Sequence, residues 1–365
     1  MRRTVMIMAG GTGGHIFPGL EIARALQAQG HFVCWLGSAG RMETRLVPEA
    51  GIDLDTVTID GLRGKGRLSL LAAPWRLLKA TLQARRIIRR RRPDVILGLG
   101  GFASGPGGLA ARWLGVPLYV HEQNAIAGVT NRVLSRWARR TLAAFPGAFP
   151  EPQAVSVVGN PVREAIRQLP APVLDPARAV QSLGDTAAHP PRLLVVGGSL
   201  GAQVLNEQVP KALAQLAASL RPEVRHQAGR DKDEVTRQAY CDAGVEAQVS
   251  DFIGDMAAAF AWADLVICRA GALTVSELAC AGVASILVPL PIAVDDHQTM
   301  NARFLSEGGA AILMPQPELV QGALIPTLQG LLADTDRLHD MALKARALAR
   351  PDATDAVIEA ILEEF

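Results

Sequence analysis

The sequence predicts an α/β protein built from two doubly wound domains, and three observations carry that prediction. Short apolar runs alternate with amphipathic stretches along the chain, and glycine clusters sit where three of those runs end. The charge balance also changes sign part-way. Residues 1–163 hold 22 basic and 9 acidic residues, whereas residues 164–365 hold 15 and 26. Alternating strand and helix patterns argue for parallel sheets with right-handed crossovers.

In the first half, TVMIMA (4–9), FVCWLG (32–37), DVILGLG (94–100) and PLYVHE (117–122) read as buried strands. Helical periodicity follows over 18–29 and 128–138. In the second half RLLVVGG (192–198), VRHQAG (224–229), ADLVICR (263–269) and ASILVPL (284–290) repeat the scheme. The boundary falls in Gly159-Asn160-Pro161-Val162-Arg163, where a proline breaks the chain. This gives a first domain over 1–162 and a second over 163–350, with a final helix over 351–365 expected to pack back on the first. The stretch 170–191 carries five prolines and no period, and reads as surface loop.

Composition narrows the class. A chain of 365 residues with 49% hydrophobic and 20% charged residues is neither disordered nor a coiled coil. No run of eighteen apolar residues exists, so a spanning helix is not expected. The basic start of MRRTVMIMAGGTGG precedes an apolar stretch too short for a signal peptide. Cys34, Cys241, Cys268 and Cys280 form no CxxC, which suggests a reduced cytoplasmic protein without structural zinc. The basic first half is suited to polyanions: nucleic acid, a phosphorylated substrate or an anionic bilayer.

Thirteen of the 35 glycines lie in three clusters: Gly10-Gly11-Thr12-Gly13-Gly14, the stretch 98–108, and Gly197-Gly198-Ser199-Leu200-Gly201. Each follows a strand pattern and opens a helix pattern, where backbone N–H groups and the positive helix end converge on an anion. No GxxxxGK[ST] occurs, which argues against a P-loop nucleotidase. Gly98-x-Gly100-x-x-Ala103, with Glu122 downstream, fits the loose dinucleotide pattern. The first turn, Gly11-Thr12-Gly13-Gly14-His15, does not, so a dehydrogenase is a minor reading.

Seven segments occur in order: GGTGGHIFPGLEIA (10–23), LGLGGFASGPGGLAA (97–111), HEQNAIAGVTNR (121–132), GNPVR (159–163), GGSLGAQVLN (197–206), CRAGALTVSELACAG (268–282) and DDHQTMNA (295–302). Together they closely resemble the bacterial glycosyltransferase family that converts lipid I to lipid II in peptidoglycan synthesis. The resemblance implies two Rossmann-like domains facing across a cleft, the glycosyltransferase-B arrangement. It implies inverting transfer of N-acetylglucosamine from UDP-N-acetylglucosamine to the 4-hydroxyl of the muramoyl unit on undecaprenyl diphosphate, with no cofactor and no bound metal. A peripheral enzyme on the cytoplasmic face of the inner membrane follows, with other cell-wall synthesis and division proteins as neighbours.

The same resemblance distributes the roles. Ser199 and neighbouring N–H groups would hold the UDP diphosphate. Ala272, Leu273, Thr274, Val275, Ser276 and Glu277 would bind nucleotide and sugar, with the Glu277 carboxylate accepting the ribose hydroxyls. The alternative for Glu277 is a helix-capping contact. Ile253 would meet uracil through its backbone, and Gln298 the sugar. Relatives often carry a histidine near position 292, where this chain has Ile292. Thr12, Gly13, Gly14, Asn124 and Arg163 match positions that touch the donor from across the cleft, and Arg163 would neutralise charge on the departing UDP. Gly13, Gly14, His15, Gly101, Ser104 and Gly105 would cradle the acceptor diphosphate. An inverting transfer needs a base for the attacking hydroxyl. His15 titrates in the right range, and Glu122 is the rival because burial raises a carboxylate. His15 as a helix-start residue that merely orients the loop is the alternative.

The stretch 63–92 places Leu70, Leu71, Trp75, Leu78 and Leu82 at roughly helical spacing, with Arg76, Lys79, Arg85, Arg86 and the run Arg89, Arg90, Arg91 and Arg92 among them. An apolar stripe with a tryptophan and flanking cations suits an anionic membrane surface. Core packing is the alternative for about half of the apolar positions. Nucleic acid is not expected, because no reading motif accompanies the arginines.

Overall fold

Alternate residues of Thr4–Ala9 enter opposite cores. Val5, Ile7 and Ala9 pack on one face, and Met6 and Met8 on the other. A strand buried on both sides in this way belongs at the centre of a parallel sheet, and Thr4–Ala9 is β1 of the first sheet. In the computed structural model the described residues are 2–59, 73–150, 154–173, 190–198, 201–291 and 296–363. They form two units, Met1–Arg163 with Pro351–Phe365, and Glu164–Arg350. Arg163 thus lies with the first unit, and the final helix does too.

The first unit holds seven parallel strands in the order β3-β2-β1-β4-β5-β6-β7. They are β1, β2 (Phe32–Ser38), β3 (Asp53–Val57), β4 (Val95–Gly100), β5 (Leu118–Glu122), β6 (Arg140–Ala143) and β7 (Ser156–Val157). One face is covered by the helix Gly13–Ala28 and by the final helix Ala353–Leu362. Val357, Ile358 and Ile361 there share a core with Ile16, Leu20 and Trp35. The other face carries Ala73–Arg91 and Ser104–Leu114.

The second unit holds six parallel strands in the order β10-β9-β8-β11-β12-β13. They are β8 (Arg192–Val196), β9 (Glu223–Gln227), β10 (Gln248–Ser250), β11 (Leu265–Cys268), β12 (Ala284–Leu287) and β13 (Ala311–Leu313). Leu193, Val195, Leu265 and Ile267 pack beneath the helices Gln203–Ala214, Leu324–Leu332 and Thr335–Ala347.

The eight apolar runs are all strands. The first helix begins at Gly13 rather than 18, and the predicted 128–138 helix is the short Val129–Leu134. The remaining strands are short or polar. In β3, Asp53 and Asp55 alternate with Leu54 and pair with Arg91 and Arg90, so no apolar run marks it. Ser199, Leu71, Ile292 and most of the 170–191 stretch lie outside the described residues.

Candidate functional site

Each sheet reverses its winding between two central strands, β1 and β4 in the first unit and β8 and β11 in the second. Ligands of open parallel sheets bind at the carboxyl ends of strands flanking such a point. The glycine clusters follow β1, β4 and β8. Both units use one backbone device there. Gly101 has φ +84°, and a Cβ on it would lie 2.1 Å from the Gly10 carbonyl oxygen. Gly201 has φ +70°, and its Cβ would lie 2.1 Å from the Ala228 oxygen. Only glycine allows both the backbone conformation and the approach.

In the first unit the loop after β1 leads into Gly13–Ala28 through Thr12, which is extended (φ −134°, ψ 155°) and makes no side-chain cap. The opening N–H groups of a helix have no intrahelical acceptor, so this uncapped turn suits an anion. Thr12 and Gly14 are exposed, and Gly13 and His15 half-buried. Buried Glu43 holds the loop from behind, accepting Gly11 N at 3.1 Å and Ser38 N at 2.9 Å. Gly101 and Gly105 are half-buried beside it. Ser104 is fully buried, with its hydroxyl 2.7 Å from Gly100 O and 2.9 Å from Met8 O. That side chain is turned into the sheet and ties β4 to β1.

The end of β5 carries a dense hydrogen-bond array. His15 Nδ1 lies 2.7 Å from Gln123 Oε1, and Gln123 Nε2 lies 3.0 Å from both His121 Nδ1 and His121 O. His121 Nε2 lies 2.8 Å from Gly159 O. His121 is fully buried, and burial pushes its imidazole down to about 4. Glu122 is buried and accepts four bonds: Asn124 N and Asn124 Nδ2 on Oε1, Gly128 N and Asn131 Nδ2 on Oε2. Both oxygens hold the loop 123–131. Asn124 is therefore fixed by its neighbour. Arg163 is half-buried at the end of the first unit's main segment.

In the second unit Gln227 braces the loop after β8. Its Oε1 accepts Gly198 N at 3.0 Å, while Nε2 donates to Gly198 O and Asp251 O. Beyond β11, Gly271 is an extended N-cap of Ala272–Ala281 with no side-chain cap. Leu273, Thr274 and Ser276 are half-buried there, and Ala272, Val275 and Glu277 buried. Ser276 Oγ donates back to Ala272 O. The preceding Arg269 donates to Val288 O, Pro289 O and Gln316 Oε1 and so fixes the strand ends, its pKa lowered by burial. Gln298 Oε1 accepts Leu290 N at 2.9 Å, and Ile253 is half-buried beyond β10.

Residues 5–143 match the glycosyltransferase family 28 N-terminal domain, and residues 192–357 match its C-terminal domain. The chain belongs to glycosyltransferase family 28. A relative from Chromohalobacter salexigens is 56% identical, covering 98% of this chain and 96% of its own. One from Aeromonas hydrophila is 54% identical with the same coverage. Both are named UDP-N-acetylglucosamine--N-acetylmuramyl-(pentapeptide) pyrophosphoryl-undecaprenol N-acetylglucosamine transferase. The crystal structure of Acinetobacter baumannii MurG superposes with a TM-score of 0.83 at 44% identity over 99% of both chains. The two Rossmann-like units of this glycosyltransferase are of glycosyltransferase-B type.

Away from the glycine loops, the glycosyltransferase's helix Ala73–Arg91 buries Ala80, Thr81, Ala84 and Ile88. The opposite side exposes Trp75 at 75%, with Leu78 and Leu82. Trp75, Leu78 and Leu82 are therefore surface and not core. Arg86 and Arg89 are exposed, and Arg85 stacks 4.5 Å over the exposed ring of Trp113. Arg90 and Arg91 have a packing role, since they are the partners of Asp55 and Asp53. Among the described residues no helix is long and apolar enough to cross a membrane. Sequence reasoning assigned no role to Glu43, Gln123, Asn131, Gln227 or Arg269. Gln123 lay inside the quoted HEQN motif, but Glu43 sits in an unremarkable helical stretch 32 residues from the loop it holds.

Proposed function

We propose that this glycosyltransferase moves N-acetylglucosamine from UDP-N-acetylglucosamine to the 4-hydroxyl of the muramoyl sugar of lipid I, forming lipid II with inversion at the anomeric carbon. The observation that carries the reading is end-to-end similarity, at 54% and 56% identity, to transferases named for that donor and acceptor. Helix starts without a side-chain cap, at Gly13 in the first unit and Ala272 in the second, agree with it, because donor and acceptor each carry a diphosphate. The second unit takes the donor. Ser199 and the start of Ala272–Ala281 hold the diphosphate, Glu277 the ribose, the Ile253 backbone the uracil and Gln298 the sugar. Gly13, Gly14, Gly101 and Gly105 cradle the acceptor diphosphate. Thr12 and Asn124 are donor contacts, and Arg163 offsets charge on the leaving UDP.

His15 is the base in this reading. It takes the proton of the attacking hydroxyl as the new C1–O bond forms and the bond to UDP breaks. Glu122 is not the base, because four donors already occupy its two oxygens. Ser104 holds the loop and does not reach the diphosphate. The exposed face of Ala73–Arg91 lies on the anionic cytoplasmic leaflet, where the lipid-linked acceptor resides.

The reaction is tested by incubating the protein with UDP-N-acetylglucosamine, or UDP-N-acetylgalactosamine as control, and a short-chain lipid I analogue. A β-1,4-linked disaccharide product from the first donor alone is expected. Tight UDP binding without any transfer to this acceptor would overturn the assignment.

A further inference from the structure

We infer that Gln123 is a positioning residue that locks His15 in the Nδ1–H tautomer, leaving Nε2 as the nitrogen whose lone pair can take a proton. The inference rests on His15 as base, and it adds the group that decides which nitrogen can serve. Two backbone carbonyls, which can only accept, fix every proton in the array. Gly159 O, 2.8 Å from His121 Nε2, requires that nitrogen to carry hydrogen. Burial keeps His121 neutral, so its Nδ1 holds a lone pair. His121 O, 3.0 Å from Gln123 Nε2, independently fixes the amide orientation, because the reverse would set two oxygens face to face. The two Gln123 N–H bonds are then both used, on His121 O and His121 Nδ1. Gln123 Oε1 must face His15, and it accepts at 2.7 Å only if Nδ1 is protonated.

The motif Gly159-Asn160 supplies the anchor. Gly159 adopts φ +93°, and Asn160 Nδ2 donates to Gln123 O at 3.0 Å, holding the main chain of the locking residue. Gln123 and Asn160 are both buried. The ionisable groups of β5 beside this array are His121, buried and neutral, and Glu122, whose oxygens are occupied. Neither competes for the His15 proton.

The test is 15N NMR of histidine-labelled full chain at a pH where His15 is neutral, its signal assigned with His15→Gln. Wild type is expected to show a protonated Nδ1 and an unprotonated Nε2. Gln123→Met removes the acceptor and should release the tautomer. kcat should then fall roughly ten-fold or more while KM for the UDP-sugar stays within about two-fold. An Nε2–H tautomer in wild type, or an Nδ1–H tautomer that survives in Gln123→Met, would overturn the lock. If the tautomer responds as expected but His15→Gln retains kcat, the lock stands and the reading of His15 as base fails.

Discussion

Two carbonyl oxygens, Gly10 O and Ala228 O, leave no room for a side chain at Gly101 and Gly201. Gly101→Ala should therefore destabilise the first unit by about 2–4 kcal/mol in urea unfolding, through positive φ and overlap together. Glu43→Ala strips the buried Ser38 N–H and the half-buried Gly11 N–H of their acceptor and should cost about 2–3 kcal/mol in the same measurement. The two buried imidazoles give stability a pH dependence. Burial lowers His121 to about 4 and His226 to about 3, from an ordinary 6.5. Their contribution is complete above pH 6.5 and is lost as pH falls toward those values, because the unfolded chain binds the proton first. The slope is about 1.4 kcal/mol per pH unit for each. His226→Phe should flatten this acid limb for the second unit, read by hydrogen exchange over Arg192–Val196. At this scale the glycine loops were legible, since glycine clustering after a strand has few other causes. Glu43 and Gln227 were not, because each acts on a loop distant in sequence and nothing near it records the contact.

The helix Ala73–Arg91 divides its residues by face. Trp75 and Leu78 are exposed, so replacing both with Ser should leave folding stability within about 0.5 kcal/mol. The same change should release the protein from anionic vesicles while UDP-sugar binding persists. Vesicle binding that survives would show that the stripe serves another partner. Arg91 behaves differently. Its partners Asp55 and Asp53 raise its pKa, first through the hydrogen bond that Arg91 donates to Asp55. Arg91→Ala should loosen the edge strand β3 and lower the unfolding midpoint, with little change in vesicle binding. The sequence showed an arginine run without saying which members were free to meet a surface. That division depends on Asp53 and Asp55, whose strand carries too few apolar residues to be recognised. The long apolar runs were readable because parallel strands are buried on both faces, whereas the three residues of β10 and β13 are too few to show a period.

Over the whole molecule, the change of charge sign and the Gly159-Asn160-Pro161 break lie at the limit of the first unit's main segment. The final helix returns to that unit, where Val357, Ile358 and Ile361 are buried. A chain truncated before Pro351 should lose hydrogen-exchange protection over Thr4–Ala9 and keep it over Arg192–Val196. Burying three aliphatic side chains is worth roughly 5–9 kcal/mol, which is comparable with the stability of a domain. The central claim is that a lipid-linked hydroxyl loses its proton to His15. The most direct measurement is kcat for transfer to the lipid I analogue by His15→Ala, at saturating concentrations of both substrates, beside wild type. A fall of about 10²–10⁴-fold, with UDP-sugar affinity and thermal midpoint unchanged, is the predicted result. A kcat within a few-fold of wild type would contradict it.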